Sequence, residues 1–358
     1  MTRSLKALSL FSGAGGLDLG IQNAGFEIVL GTDSDPWAAK SHQKNFPKSA
    51  FFTGDIQDFT KELAQEISGG RLDDIDLLIG GPPCPPFSKS RFYRTEMPRA
   101  MEDPVGAATI GGYLDTLSWL KPRAFLLENV AGMAFNVHRE TLDHIIAHAQ
   151  ALGYACDWRV LNAADFGVPQ IRQRFFLIGV REESFSWPTQ SHADPKKELS
   201  LFDHWITAGE AIGDLDTPEN ADDAGHVAGG KYNHLLQEIP PGDNYLHFTK
   251  ERGHPNPVFG WRKRYWSFLL KLSPDLPSWT IQARRSNNMG PLHWRNRILR
   301  IEEVKRLQTF PDDWYLSGSV ERQWRQVGNA VPPRLAEVLG QQLSQCLLAN
   351  ARNLDKVA

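Results

Sequence analysis

Asp76-Leu77-Leu78-Ile79-Gly80-Gly81-Pro82-Pro83-Cys84-Pro85-Pro86-Phe87-Ser88 runs an apolar segment straight into a rigid loop that presents one cysteine. The apolar run suits a strand buried on both faces, as in a parallel sheet. Prolines on both sides of Cys84 fix backbone φ and forbid helix continuation. The sulfur is therefore expected at the carboxyl end of a strand, where open α/β sheets keep their ligand sites. A plainer reading exists: Gly-Pro turns follow many strands, and an isolated cysteine commonly serves as a small buried hydrophobe.

The segments around this one decide between the two readings. Leu8-Ser9-Leu10-Phe11-Ser12-Gly13-Ala14-Gly15-Gly16-Leu17 is a short apolar strand, a glycine-rich turn and the start of a helical pattern that continues to Ala24. Glycines let a ligand approach the backbone closely, and the helix offers its first N–H groups. The third glycine of the dinucleotide fingerprint is missing at the required spacing, so NAD is disfavoured. Ile28-Val29-Leu30-Gly31-Thr32-Asp33 ends in an acid placed like the carboxylate that grips ribose hydroxyls after a second strand, and Gly54-Asp55-Ile56 closes a third candidate strand. Singly, such acids are ordinary strand-end turn formers. Together they outline an adenosine-type site without a phosphate grip.

Further along stand Leu127-Glu128-Asn129-Val130, Gln170-x-Arg172-x-Arg174, Arg306-Leu307-Gln308-x-Phe310-Pro311 and Gly328-Asn329-Ala330-Val331-Pro332. With the glycine loop, Asp33, Asp55 and Pro82-Pro83-Cys84 ahead of them in that order, the chain resembles the DNA (cytosine-5) methyltransferases, particularly the short bacterial enzymes of restriction-modification systems. The likeness covers most of the chain. Two departures stand out: Pro85 occupies the usual glutamine position after the cysteine, and Arg300 stands where threonine is common.

The resemblance implies an α/β fold, a doubly wound, mostly parallel sheet binding S-adenosyl-L-methionine, with a smaller irregular target-recognition domain. It implies a catalytic set of Cys84, Glu128, Asn129, Arg172 and Arg174. Carbon 5 of cytosine is a poor nucleophile until a thiolate adds at carbon 6, and cysteine is both a strong nucleophile and a good leaving group. Glu128, kept protonated by burial, can donate to ring nitrogen 3, and Asn129 would orient the acid or the base. Arg172 and Arg174 alternate along a strand, which predicts both guanidinium groups on one face, toward cytosine O2 and phosphate. The cofactor would meet Phe11, Ser12, Gly13, Gly15, Asp33, Asp55, Ile56, Pro82, Asn329 and Ala330. Phe11 would pack on adenine, Asp33 would hold the ribose and Asp55 the adenine amino group.

Charge patterning supplies the DNA side. The net charge of −3 hides an asymmetry: residues 181–249 carry 4 Lys/Arg against 13 Asp/Glu, and residues 250–325 carry 15 against 7. The basic block is interleaved with Trp261, Tyr265, Trp266, Trp279 and Trp294, the mixture expected where phosphates are neutralised and bases approached. The tryptophans read as core, since Trp266-Ser267-Phe268-Leu269-Leu270 looks like packed interior, and the arginines as DNA contacts. Ser88, Lys89 and Arg91, after the cysteine, and Arg284 and Arg285, in a polar loop, are the expected DNA-binding residues. Residues 89–103 read as a mobile loop that closes over an extruded base.

Strands are expected at Ala7–Phe11, Ile28–Thr32, Asp76–Gly80, Ala124–Leu127 and Phe175–Val180, and a helix from Pro332 to Leu348 returns to the first domain. The catalytic domain is thus expected to be discontinuous, 1–184 and 326–358, around a recognition domain at 185–325. Three cysteines that cannot all pair and show no disulfide framework, no long apolar run and no signal-like amino terminus predict a cytoplasmic protein without a membrane segment, and no metal site is expected. A monomer acting on double-stranded DNA, paired functionally with a restriction endonuclease, completes the expectation. A zinc deaminase would need Cys-x-x-Cys, which is absent, and an amino methyltransferase would need a polar residue where Gly81 stands. A tRNA cytosine-5 methyltransferase and a DNA-binding protein without catalysis are the alternatives; the basic region disfavours the first, and Cys84 with Glu128 the second.

Overall fold

A computed structural model describes residues 4–83, 103–181, 185–196, 201–217 and 226–354. In chain order the first part gives β1 (Leu5–Leu10), α1 (Gly16–Asn23), β2 (Phe26–Asp33), α2 (Pro36–Asn45), β3 (Ala50–Thr53) and α3 (Lys61–Ile67). Then come β4 (Leu77–Gly80), α4 (Pro104–Leu120), β5 (Ala124–Val130), α5 (Arg139–Ala151), β6 (Tyr154–Asn162), β7 (Gln170–Ile171) and β8 (Gln173–Arg181). Seven strands form one sheet in the order β3-β2-β1-β4-β5-β8-β6. The first five are parallel; β8 runs antiparallel to both β5 and β6.

Alternation along the buried strands splits the core into two layers. Leu78, with Leu8, Leu10 and Leu127, faces Ala64 of α3, Tyr113 of α4 and Ile145 of α5. Leu77 and Ile79 face the other way, toward Leu17 and Ile21 of α1 and Leu335, Leu339 and Leu343 of α9 (Pro333–Leu354). Each of these fully buried apolar side chains contributes about 1.5–3 kcal/mol, so β4 alone anchors both layers. Gly20 sets the α1–α9 contact: a Cβ there would lie 2.4 Å from Ala336 Cβ. The expected strands all form, within a few residues of their ends. The edge strand β6 was not foreseen, because YACDWRVLN alternates burial with exposure and carries charges.

Beyond β8 the chain is irregular, with β9 (His192–Ala193), β10 (Asp203–His204), α6 (Ala208–Ile212), β11 (Ser278–Trp279), α7 (Ile301–Leu307) and α8 (Val320–Asn329). A third core joins Ala208 and Ile212 to Leu236, Tyr245, Phe268, Leu292, Val304, Leu307, Trp324 and Val327. The strand β11 pairs with β7, which leads into β8 and so ties this region to the large sheet. Among the described residues no helix is long and apolar enough to cross a membrane.

Candidate active site

Strand order reverses between β1 and β4, and Phe11, Ser12, Gly13 and Gly15 follow β1 while Pro82 follows β4. After β1, Phe11, Gly13 and Gly15 all take positive φ (55°, 55° and 81°), folding the loop back over the sheet. Ser9, Ser12 and Thr32 brace it from below: the Ser12 hydroxyl donates to Ser9 Oγ at 2.9 Å, and Thr32 N donates to Ser12 Oγ at 3.2 Å. Ser12, expected at the cofactor, therefore spends its side chain on the loop's own support. Gly13 N donates to Asp33 Oδ2 at 2.8 Å and Asp35 N to Oδ1 at 2.8 Å. Burial pushes the Asp33 carboxyl up, against the pull of these two amides.

Gly15 caps α1 without a side-chain hydrogen bond, leaving the helix amides toward the crevice. A Cβ on Gly16 would lie 2.4 Å from Val331 O and 3.0 Å from Ala330 Cβ, so the segment carrying Asn329 and Ala330 abuts the glycine loop. Trp314 Nε1 closes the loop from the far side by donating to Ala14 O at 3.0 Å. Asp55 is exposed and caps the turn holding buried Ile56. These features fit S-adenosylmethionine: the crevice offers backbone amides, a carboxylate at the end of β2, an aromatic ring and an apolar floor, with no cluster of cations for phosphates among the described residues.

The catalytic pocket lies next door. Glu128 on β5 is 4 % exposed, and its Oε1 meets Arg174 Nε of β8 at 3.1 Å. Arg174 stands opposite Val130 in the antiparallel register, so the pair is a diagonal cross-strand contact. Burial raises the Glu128 carboxyl, with Arg174 and then Arg172 opposing. Gly81 leaves room for this acid, since a Cβ there would sit 2.8 Å from Glu128 Oε2. Asn129 is fully buried and donates from Nδ2 to Pro82 O at 3.2 Å, clamping the loop that leads to Cys84 onto β5. Cys84, Ser88, Lys89, Arg91 and the rest of the expected closing loop up to residue 102 lie outside the described residues.

Arg172 corrects the expectation of two arginines on one face. The ladder breaks between β7 and β8, and the Arg172 side chain turns into the protein, fully buried. It donates to Ile281 O at 3.0 Å, Gly328 O at 2.8 Å and Ala330 O at 2.9 Å. It joins three segments that meet at the site, while Arg174 makes the direct ion pair with Glu128.

The basic block divides as well. Arg295 pairs with Asp216 at 2.9 Å, Arg297 with Glu303 at 2.6 Å, and Arg306 with both Asp214 and Asp312. Part of the charge asymmetry thus cancels internally, acidic segment against basic. Arg262, Lys263, Arg264 and Arg284 instead line a groove of about 1320 Å³ with Gln282 and Asn288. Arg285 leaves Arg284 alone in the groove, its Nη1 lying 3.5 Å from Glu321 Oε1. Trp294 packs against the third core as expected, but Trp261, Trp266 and Trp279 are exposed, whereas Phe268, Leu269 and Leu270 are buried.

Sequence reasoning missed Gln308, which accepts from Gln170 Nε2 at 3.0 Å and donates to Val327 O at 2.8 Å under the same junction. Its place between Leu307 and Phe310 was the available signal. Cys156 and Cys346 are half-buried, and burial pushes the Cys156 thiol up to about 11. Both stand as packing residues.

The family model for C-5 cytosine-specific DNA methylase matches residues 5–345. The chain is 38% identical over 375 residues to Type II methyltransferase M.SacI of Streptomyces achromogenes, covering 97% of this chain and 94% of that one. It is 30% identical over 387 residues to Type II methyltransferase M.XorII of Xanthomonas oryzae pv. oryzae, covering 97% and 86%. Among solved structures, one described as a DNA modification methyltransferase encoded within an E. coli prophage superposes with TM-score 0.68 at 23% identity, over 96% of this chain and 99% of that one. The S. pombe Dnmt2 methyltransferase does so with TM-score 0.63 at 17% identity, over 97% and 99%. At those identities the two structures establish the fold.

Proposed function

The chain belongs to the C-5 cytosine-specific DNA methylases, and from that premise we propose how its residues divide the reaction. The activity is that of a DNA (cytosine-5-)-methyltransferase of the type II restriction-modification kind. The observation that carries the assignment of roles is the buried Glu128, paired with Arg174 at 3.1 Å and roofed by the Gly81-Pro82 backbone. A carboxyl so placed holds its proton more tightly than an exposed one and can give it to cytosine N3.

The Cys84 thiolate forms the S–C6 bond as Glu128 protonates N3, moving electron density toward carbon 5. S-adenosyl-L-methionine, when bound, supplies the electrophilic methyl group. Loss of the carbon 5 proton to base, cleavage of the S–C6 bond and return of the N3 proton to Glu128 then restore the ring. Phe11, Gly13, Gly15, Asp33, Asp55, Ile56, Pro82, Asn329 and Ala330 hold the cofactor, Asp33 through the ribose. Asn129 positions the Cys84 loop through Pro82, and Arg172 acts behind the site as a positioning residue.

Double-stranded DNA lies along the groove lined by Arg262, Lys263, Arg264 and Arg284, with Ser88, Lys89 and Arg91 completing its grip. Two units serve these roles: 1–184 with 326–358 binds the cofactor, and 185–325 reads the target, with α8 as their joint. The enzyme acts as a monomer in the cytoplasm and protects host DNA from a cognate endonuclease. The test is a duplex carrying 5-fluorocytosine, whose carbon 5 fluorine cannot leave as a cation. Wild-type protein should be trapped covalently, and Cys84→Ala should not; absence of any trapped wild-type complex would overturn the assignment.

A further inference from the structure

We propose that Trp266 and Trp279 form a stacking surface for bases exposed when the duplex opens around the target cytosine, a reading that rests on the DNA-methylating function above. The two residues are 46 % and 36 % exposed, with ring centroids 4.3 Å apart and planes 69° from parallel. Two large apolar rings left in mutual contact at the surface mark an interaction site rather than a fold requirement. The core beside them is already filled by Phe268, Leu269 and Leu270.

The position of the pair gives the surface its role. Trp266 lines the groove that holds Arg262, Lys263, Arg264 and Arg284. Trp279 belongs to β11, where it stands opposite Ile171, three residues before Arg174. Thr280 Oγ1 donates to Ile171 O at 2.8 Å and Arg172 to Ile281 O at 3.0 Å, so β11 is fixed to β7, which leads directly into β8 and the Glu128 partner Arg174. The two rings therefore span the border between a cationic groove and the catalytic pocket.

Indole faces stack on any base, and bases interleaved with cations are the usual ligand of such a surface. In a closed duplex the base faces are covered. They become available where a nucleotide is extruded. The pair should thus favour opened DNA over closed duplex, leaving the reading of sequence to the polar groups of the groove.

The experiment uses full-length protein, a duplex containing its mapped methylation site, the same duplex with 2-aminopurine at the target position, and an equal-length duplex lacking the site. Trp266→Ala and Trp279→Ala should each bind the site duplex about tenfold more weakly and give a reduced 2-aminopurine signal, while binding to the duplex without the site stays unchanged. The phenylalanine variants should stay within about threefold of wild type, because a flat ring persists. Unfolding midpoints equal to wild type guard against loss of fold. Equal weakening on both duplexes, or no weakening, would overturn the proposal. A wild-type protein that methylates no duplex would instead overturn the DNA reading on which it rests.

Discussion

Replacing Arg172 and Arg174 one at a time separates holding the site together from acting in it. Arg172 makes three hydrogen bonds to backbone carbonyls at 3.0, 2.8 and 2.9 Å and is fully buried. Charged hydrogen bonds of this kind contribute about 1.5–3 kcal/mol each, and bonds sharing one side chain do not add fully. Arg172→Ala should therefore lower the unfolding free energy by about 3–5 kcal/mol, a large part of the roughly 5–15 kcal/mol typical of a domain. Arg174→Ala should cost far less stability, because the buried Glu128 carboxyl already favours its protonated form and leaves no buried charge unpaired. Its turnover should nevertheless fall by about a hundredfold, as expected for losing a charge aimed at the reacting ring. Urea unfolding followed by tryptophan fluorescence, with methyl transfer at saturating substrates, measures both. Arg172→Ala with a wild-type midpoint and abolished turnover would refute the separation and return Arg172 to the substrate.

Three further outcomes follow from the geometry. Glu128→Gln should lower turnover about 10²–10⁴-fold. Because burial holds the Glu128 carboxyl above its value in the unfolded chain, its contribution to stability is full in acid and is lost as pH rises through the raised value; the melting temperature of wild type relative to Glu128→Gln should fall from acidic to alkaline pH, and a flat difference would contradict the buried acid. Asp33→Ala should weaken S-adenosylmethionine binding in calorimetry more than DNA binding, since it removes both the proposed ribose contact and the anchor of Gly13 N; unchanged cofactor affinity would refute the role. Arg284→Ala should cost about 1–3 kcal/mol at a single base pair of the mapped site, whereas Arg285, turned toward Glu321, should affect all sequence variants alike when replaced; uniform weakening by both would move base reading to other groove residues.

The large sheet was legible because its strands are buried on both faces. Leu77-Leu78-Ile79 admits little else once a glycine-proline loop follows. The partners of Glu128 were partly legible, since a spacing of two along a strand brings charged residues near one another. The same spacing misled for Arg172, where a break in the ladder rotates the side chain inward, and such a break leaves no trace in the pattern of residue types. Trp266 was read as interior because it precedes Phe268-Leu269-Leu270, yet burial starts two residues later. The arginines of residues 250–325 looked uniformly available because their acidic partners Asp214 and Asp216 lie far off in sequence. Pairings over such distances are set by tertiary packing, which local composition does not encode.

The central claim is that this chain methylates carbon 5 of cytosine at one duplex sequence through Cys84. Incubating purified protein and methyl-labelled S-adenosylmethionine with a long mixed-sequence duplex, then mapping modified cytosines by bisulfite sequencing, tests it directly. Label should appear at one cytosine within one recurring sequence and vanish in Cys84→Ala. Labelling without sequence preference, labelling of RNA alone, or appreciable turnover by the alanine variant would contradict it.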